Sequence, residues 1–197
     1  MNTVEVTFKV PFEKLTEFGE LVEQHPDIFN QARQAQVMID KRIFISYRRA
    51  DSAYITGRIH DRLAERLGRG SIFRDVDDIA VGSNFTTALE RQLETSDMMI
   101  VIIGDKWMDI TSAETGERRL DNPNDIVRLE VETALDRRIP VIPVLVRGAP
   151  FPDRDELPLR MKPLADKSGL VVRPDPDFHP DVDRLIAQIA QILNVQV

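Results

Sequence analysis

From residue 42 onward, short apolar runs alternate with stretches whose apolar positions recur every three or four residues. Residues 42–46, Arg-Ile-Phe-Ile-Ser, are short, continuous and rich in β-formers, which predicts a strand buried on both faces. Ile55, Ile59, Leu63 and Leu67 then recur at four-residue spacing, one face of a helix that Gly68 and Gly70 terminate. Residues 71–74 predict a second, shorter strand, and an acidic loop over 75–82 follows it. Ser83 or Asn84 offers a cap to a helix burying Phe85, Ala88, Leu89 and Leu93. Residues 98–104, Met-Met-Ile-Val-Ile-Ile-Gly, form the clearest central strand. A polar loop over 105–125 leads into a helix near 126–136, and 139–146 predict another buried strand. Its Pro140 and Pro143 lack amide donors, so that strand is expected to be ragged or near an edge. A Pro-rich connection over 148–163 precedes a last short strand at 170–172. The closing helix carries Val182, Leu185, Ile186, Ile189 and Leu193 on one stripe, with Asp181 and Asp183 favouring its N-terminus.

Strand and helix alternate about five times, the pattern of a parallel sheet with helices on both faces. An α/β unit of this size predicts a flavodoxin-like five-stranded sheet of order 2-1-3-4-5. Ligands of such sheets sit beyond the carboxyl ends of the strands, at the point where the connection direction reverses. The loops after strands one and three therefore border any site. Residues 1–40 stand apart from this unit, which spans 41–197. Val4, Val6, Phe8 and Val10 alternate like a strand, Phe12, Leu15, Phe18, Leu21 and Val22 follow at helical spacing, and Pro26 interrupts. A β/α extension of this length cannot bury enough apolar surface alone, so it is expected to dock or to mediate oligomerisation.

Composition narrows the chemistry. The chain is 42% hydrophobic and 30% charged, ordinary for a globular protein able to fill a core. A net charge of −7 argues against a nucleic-acid partner, which favours a basic excess. With no cysteine there is no thiolate nucleophile or thiolate metal site, and His25, His60 and His179 are too scattered to build a histidine metal site. No apolar run approaches a membrane span, and the first residues lack a signal peptide's basic start and apolar centre; a cytoplasmic location is expected.

Four segments converge on the mouth of the predicted sheet. Strand one ends in Tyr47, Arg48 and Arg49; adjacent arginines point in different directions, so one can reach a phosphate or carboxylate while the other faces water, or both can be a solvated cap. The loop after strand two places Asp75, Asp77 and Asp78 within four residues, read either as a Mg²⁺ or phosphoryl site or as a solvated turn. Trp107, the single tryptophan, lies just past the central strand, where it either stacks on a base or covers the edge of the core. The fourth is the helix at 126–136. There Ile126, Leu129, Thr133 and Ala134 share a face, Glu130 flanks it and Glu132 points to solvent. Glu130 is then either a surface residue paired with Arg128 or Arg137, or a carboxylate offered to the site. The glycines form no dinucleotide-binding or P-loop pattern.

Together and in order, several segments resemble the Toll/interleukin receptor (TIR) domain family in its bacterial, NAD-cleaving form. They are Phe44-Ile-Ser-Tyr-Arg-Arg49, Phe73-Arg-Asp-Val-Asp-Asp-Ile-Ala-Val-Gly82, Ile102-Ile-Gly-Asp-Lys-Trp107, Arg119-Leu-Asp-Asn-Pro-Asn-Asp-Ile-Val-Arg-Leu-Glu130 and Ile139-Pro-Val-Ile-Pro-Val144. The resemblance covers about residues 41–193. It implies an essential glutamate on the third helix, which by motif position is Glu130. It also implies a nucleotide site formed by the arginine pair and the loop after strand two, making Tyr47, Arg48, Arg49 and Asp75 substrate-binding candidates beside Asp78, Trp107 and Ile126. Ile126 stands where some enzymatic members carry tryptophan. NAD⁺ enters as substrate, with no separate cofactor, and other TIR domains are the implied partners through self-association.

One carboxylate suffices for that chemistry. The nicotinamide of NAD⁺ is cationic and departs neutral, so no general acid is needed, and the protein must stabilise oxocarbenium-like charge on the ribose. Capture by water gives ADP-ribose and capture by an adenine nitrogen gives a cyclic product. Two other functions compete with this one. The first is a non-catalytic interaction domain that recruits TIR domains through Asp78 and Gly82. In the second, residues 1–40 switch the enzyme on by oligomerising it.

Overall fold

The computed structural model describes residues 41–74 and 92–195. Five parallel strands form one sheet: β1 (Ile43–Ser46), β2 (Ile72–Arg74), β3 (Met98–Ile103), β4 (Val141–Val146) and β5 (Leu170–Val172). Their order is β2-β1-β3-β4-β5, the predicted flavodoxin-like arrangement. β1 lies between two neighbours, with Ile43 opposite both Ile72 and Met98. Every residue of β1, β3 and β4 is buried, which is why these strands read as unbroken apolar runs.

Successive strand residues serve opposite faces of the sheet, so the sheet separates two cores. Ile43 and Ile45 of β1 pack on one side with Ile59, Leu63 and Leu67 of α1 (Arg49–Leu67) and Leu185, Ile186 and Ile189 of α3 (Phe178–Leu193). Phe44 points the other way, into a core shared with Val127, Val131 and Ala134 of α2 (Ile126–Asp136) and with Met161 and Leu164. The last two belong to a 3₁₀ segment, Leu159–Asp166, that begins within the Pro-rich connection and runs past its end. Leu93, from the helix expected after strand two, is fully buried in this second core; residues 75–91 of that stretch and residues 1–40 lie outside the described residues.

The predicted stop of α1 holds: Gly68 takes φ 103°, a conformation that costs glycine little, and its N–H bonds the Ala64 carbonyl. As its prolines predict, β4 lies near an edge of the sheet, next to the edge strand β5, and pairs with both β3 and β5. Pro143 fits there because the β5 ladder starts only at Val144, one residue further on, and the Pro140 carbonyl accepts from the Met99 N–H at 2.8 Å. Asp181 lies in the first turn of α3, as expected. It is buried and accepts from the Arg173 backbone N–H and guanidinium, tying the exit of β5 to α3, while Asp183 reaches Arg62 of α1.

Candidate functional site at the end of the first strand

The carboxyl end of β1 turns directly into α1 through Ser46, Tyr47 and Arg48, all buried. Ser46 Oγ donates a 2.6 Å hydrogen bond to Glu130 Oε2, joining the last residue of β1 to the middle of α2. Glu130 is 1% exposed, so its carboxylate is part of the interior and not a surface charge. This corrects the expected orientation of α2. The buried face is Val127, Glu130, Val131 and Ala134, while Ile126, Leu129 and Thr133 are only partly buried. Adjacent helical stripes differ by one residue, about 100° of rotation, and both stripes of this helix contain apolar side chains.

Glu132 is corrected as well. It is buried, and it takes Arg128 Nε at 2.8 Å and Arg160 at 3.0 Å, so two arginines compensate a carboxylate that was expected in solvent. Arg160 also pairs with Asp136, which fastens the 3₁₀ segment to the end of α2.

The start of α2 is held by several side chains. Asp125 is the N-cap and accepts from the Arg128 backbone N–H at 3.1 Å. Arg48 reaches the same carboxylate through both terminal nitrogens, at 2.9 and 3.0 Å, and Arg119 Nε adds a contact at 3.0 Å. Arg48 Nε donates to the Trp107 carbonyl at 3.2 Å, and the guanidinium carbon lies 5.9 Å from the centre of the Trp107 ring. Of the two consecutive arginines, Arg48 therefore faces the protein and Arg49 is exposed.

The other expected site residues divide clearly. Trp107 is fully buried in the second core, and its indole N–H meets no acceptor among the described residues. Tyr47 packs into the first core beside α1 and α3. Ile126 is half-buried at the first position of α2. Asp75 and Asp78 lie outside the described residues. Ser46 and Asp125 lie outside the candidates that the sequence marks. Asp125 had a readable signal, an aspartate directly before a helix, whereas nothing local marks Ser46, 84 residues from its partner.

A second set of contacts ties the strand exits together. Asp51 of α1 accepts from the Gly104 and Lys106 backbone N–H groups, each at 3.0 Å, just past β3. Asp105 pairs with Arg147 of the β4 exit at 2.6 Å, and that hydrogen bond holds the Asp105 carboxyl below the usual carboxylate range. A cavity of about 260 Å³ opens nearby, between Tyr54 and Arg58 of α1, Arg147, Val172 and Pro174. Glu130 does not line it. Among the described residues, no cluster of three or more His, Cys, Asp or Glu side chains is placed to hold a metal ion, and no helix is long and apolar enough to cross a membrane.

Comparison with known proteins adds to this geometry. The sequence model of the TIR domain family matches residues 43–186. Among solved structures, the chain is similar to the TIR domains of the activated Roq1 resistosome directly recognizing the pathogen effector XopQ, at 16% identity and a TM-score of 0.53. That match covers 78% of this chain and 99% of that one. It is also similar to a metazoan TIR-STING receptor from C. gigas in complex with 2',3'-cGAMP, at 15% identity and a TM-score of 0.46, over 73% of this chain and 39% of that one. No curated protein sequence matches the chain.

Proposed function

This chain belongs to the TIR domain family, and from that premise we propose that it cleaves the N-glycosidic bond of NAD⁺ with Glu130 as the catalytic carboxylate. The observation that carries the reading is the Ser46–Glu130 contact. It sets a carboxylate, held by a neutral hydroxyl at 2.6 Å, at the carboxyl end of β1 beside β3, where the strand order reverses. Open α/β sheets bind their ligands at that point.

In the proposed reaction the bond from ribose C1′ to the pyridinium nitrogen breaks, and its electron pair neutralises the ring as nicotinamide leaves. The Glu130 carboxylate offsets the positive charge that develops on the ribose. Water then adds to C1′ and releases a proton, giving ADP-ribose, or an adenine nitrogen of the same molecule adds to give a cyclic product. The Ser46 hydroxyl orients the carboxylate for this work. Because Glu130 is 1% exposed, substrate entry requires displacement of whatever covers it, which fits activity that rises on self-association with other TIR domains. The proposed setting is cytoplasmic, as a defence or signalling enzyme acting on the cell's own NAD⁺.

The test is incubation of concentrated, full-length protein with NAD⁺ and chromatographic detection of nicotinamide, beside Glu130→Gln. Release by the wild type and its loss in the variant is the expected result. The burial of Glu130 also favours a second reading, a non-catalytic TIR–TIR interaction domain. Under that reading NAD⁺ stays intact in both samples while self-association persists.

A further inference from the structure

We infer that Arg48 is a positioning residue and not a substrate ligand: together with Asp125 it forms a buried clamp that fixes the rotation of α2, and with it the placement of Glu130. This inference rests on the proposed NAD⁺ cleavage and assigns Arg48 a different place in it from the substrate-binding one that the sequence suggests.

Both side chains of the pair are 1% exposed, and they join positions 77 residues apart. The acceptor capacity of Asp125 is filled. Oδ1 takes Arg48 and the Arg128 backbone N–H, while Oδ2 takes Arg48 and Arg119 Nε. A carboxylate has about four lone-pair sites, so four donors leave none for a ligand. Arg48 spends Nε on the Trp107 carbonyl and one donor from each terminal nitrogen on Asp125, which holds the guanidinium plane in a fixed attitude.

The leverage follows from spacing along the chain. Arg48 lies two residues after Ser46, and Asp125 five before Glu130. The clamp and the Ser46–Glu130 hydrogen bond are therefore two successive ties between the same pair of elements, the exit of β1 and α2. The side chains of a helix rotate with it about its axis, so a loss of rotational control at the cap moves the Glu130 oxygens away from their direction at Ser46. A reaction that depends on a carboxylate meeting a developing charge is sensitive to displacements of about 1 Å.

The experiment is steady-state nicotinamide release by full-length protein carrying Arg48→Lys, Asp125→Asn or Arg119→Ala. Arg48→Lys keeps the charge but loses the two-pronged fork, and Asp125→Asn keeps a capping oxygen but loses the charge. Arg119→Ala removes one donor from a partly exposed side chain, so it tests the clamp even where the other two variants fail to fold. The expected result is a kcat lower by about ten-fold for the first two and about three-fold for Arg119→Ala, with KM within about two-fold of wild type throughout. Amide exchange over residues 126–130 should rise in the same order. A rise in KM with kcat unchanged in any folded variant makes Arg48 or its partners substrate contacts and overturns the inference, as does wild-type kinetics in all three. Concentrated wild-type protein that is folded yet leaves NAD⁺ intact overturns the cleavage reading itself, and the clamp's catalytic role with it.

Discussion

Ser46 closes β1 and Glu130 sits in the middle of α2, yet the two side chains meet at 2.6 Å in a buried hydrogen bond. The glutamate is thereby kept in register with the carboxyl edge of the sheet. Ser46→Ala removes the donor and leaves the carboxylate less directed. The expected outcome is a roughly ten-fold fall in nicotinamide release and about 1 kcal/mol of lost stability, read from a progress curve and a urea midpoint on the same preparation.

Glu130→Gln preserves shape and can still accept from Ser46 Oγ, so the fold is expected to persist. Nicotinamide release should fall by about a hundred-fold or more, because the neutral amide no longer offsets charge on the ribose. A variant as active as wild type would remove Glu130 from the chemistry.

The Arg48–Asp125 pair makes a stability prediction independent of activity. Asp125→Ala leaves the Arg48 guanidinium buried without its counter-charge, at a cost of about 3–5 kcal/mol. Replacing both residues by apolar side chains of similar volume should destabilise less than Asp125→Ala alone. Urea unfolding of the single and double variants measures this difference, and an additive loss would contradict it.

Gly104 is required by contact and not by backbone conformation. A Cβ there would lie 2.2 Å from Asp51 Oδ2, and that carboxylate cannot swing aside without giving up the Gly104 and Lys106 N–H groups. Gly104→Ala is expected to cost about 1–3 kcal/mol in thermal or urea unfolding, with the turn after β3 showing the largest change in amide exchange.

Acid should act through Asp181. The hydrogen bond from the Arg173 guanidinium, helped by the Arg173 backbone N–H and by Arg184, outweighs burial and holds the Asp181 carboxyl well below the usual carboxylate range. A depressed pKa in the folded state contributes stability that is complete above the unfolded value, about 3.9, and is lost as pH falls through the folded one. Asp181→Asn should therefore be less stable than wild type at pH 7, and the gap should narrow below about pH 4. A gap independent of pH would show that the ion pair is not its source.

The architecture was legible along the chain because it rests on local periodicity. Short apolar runs such as 98–103 read as strands covered on both faces, and five strand segments alternating with helical stripes point to a parallel sheet. The span of α2, the end of α1 at Gly68 and the position of β5 follow from the same short-range signals. Tertiary structure decided which stripe of α2 turns inward. Apolar side chains lie on two neighbouring stripes, and the one that contains Glu130 is buried where Asp125 is gripped by Arg48 and Glu130 meets Ser46. The burial of Glu132 was likewise hidden, since it depends on the reach of Arg160, a partner outside its own segment. Periodicity reports what a residue does within its own element, whereas the buried charge of Asp125 has its counter-charge 77 residues away, and only the folded chain brings the two together.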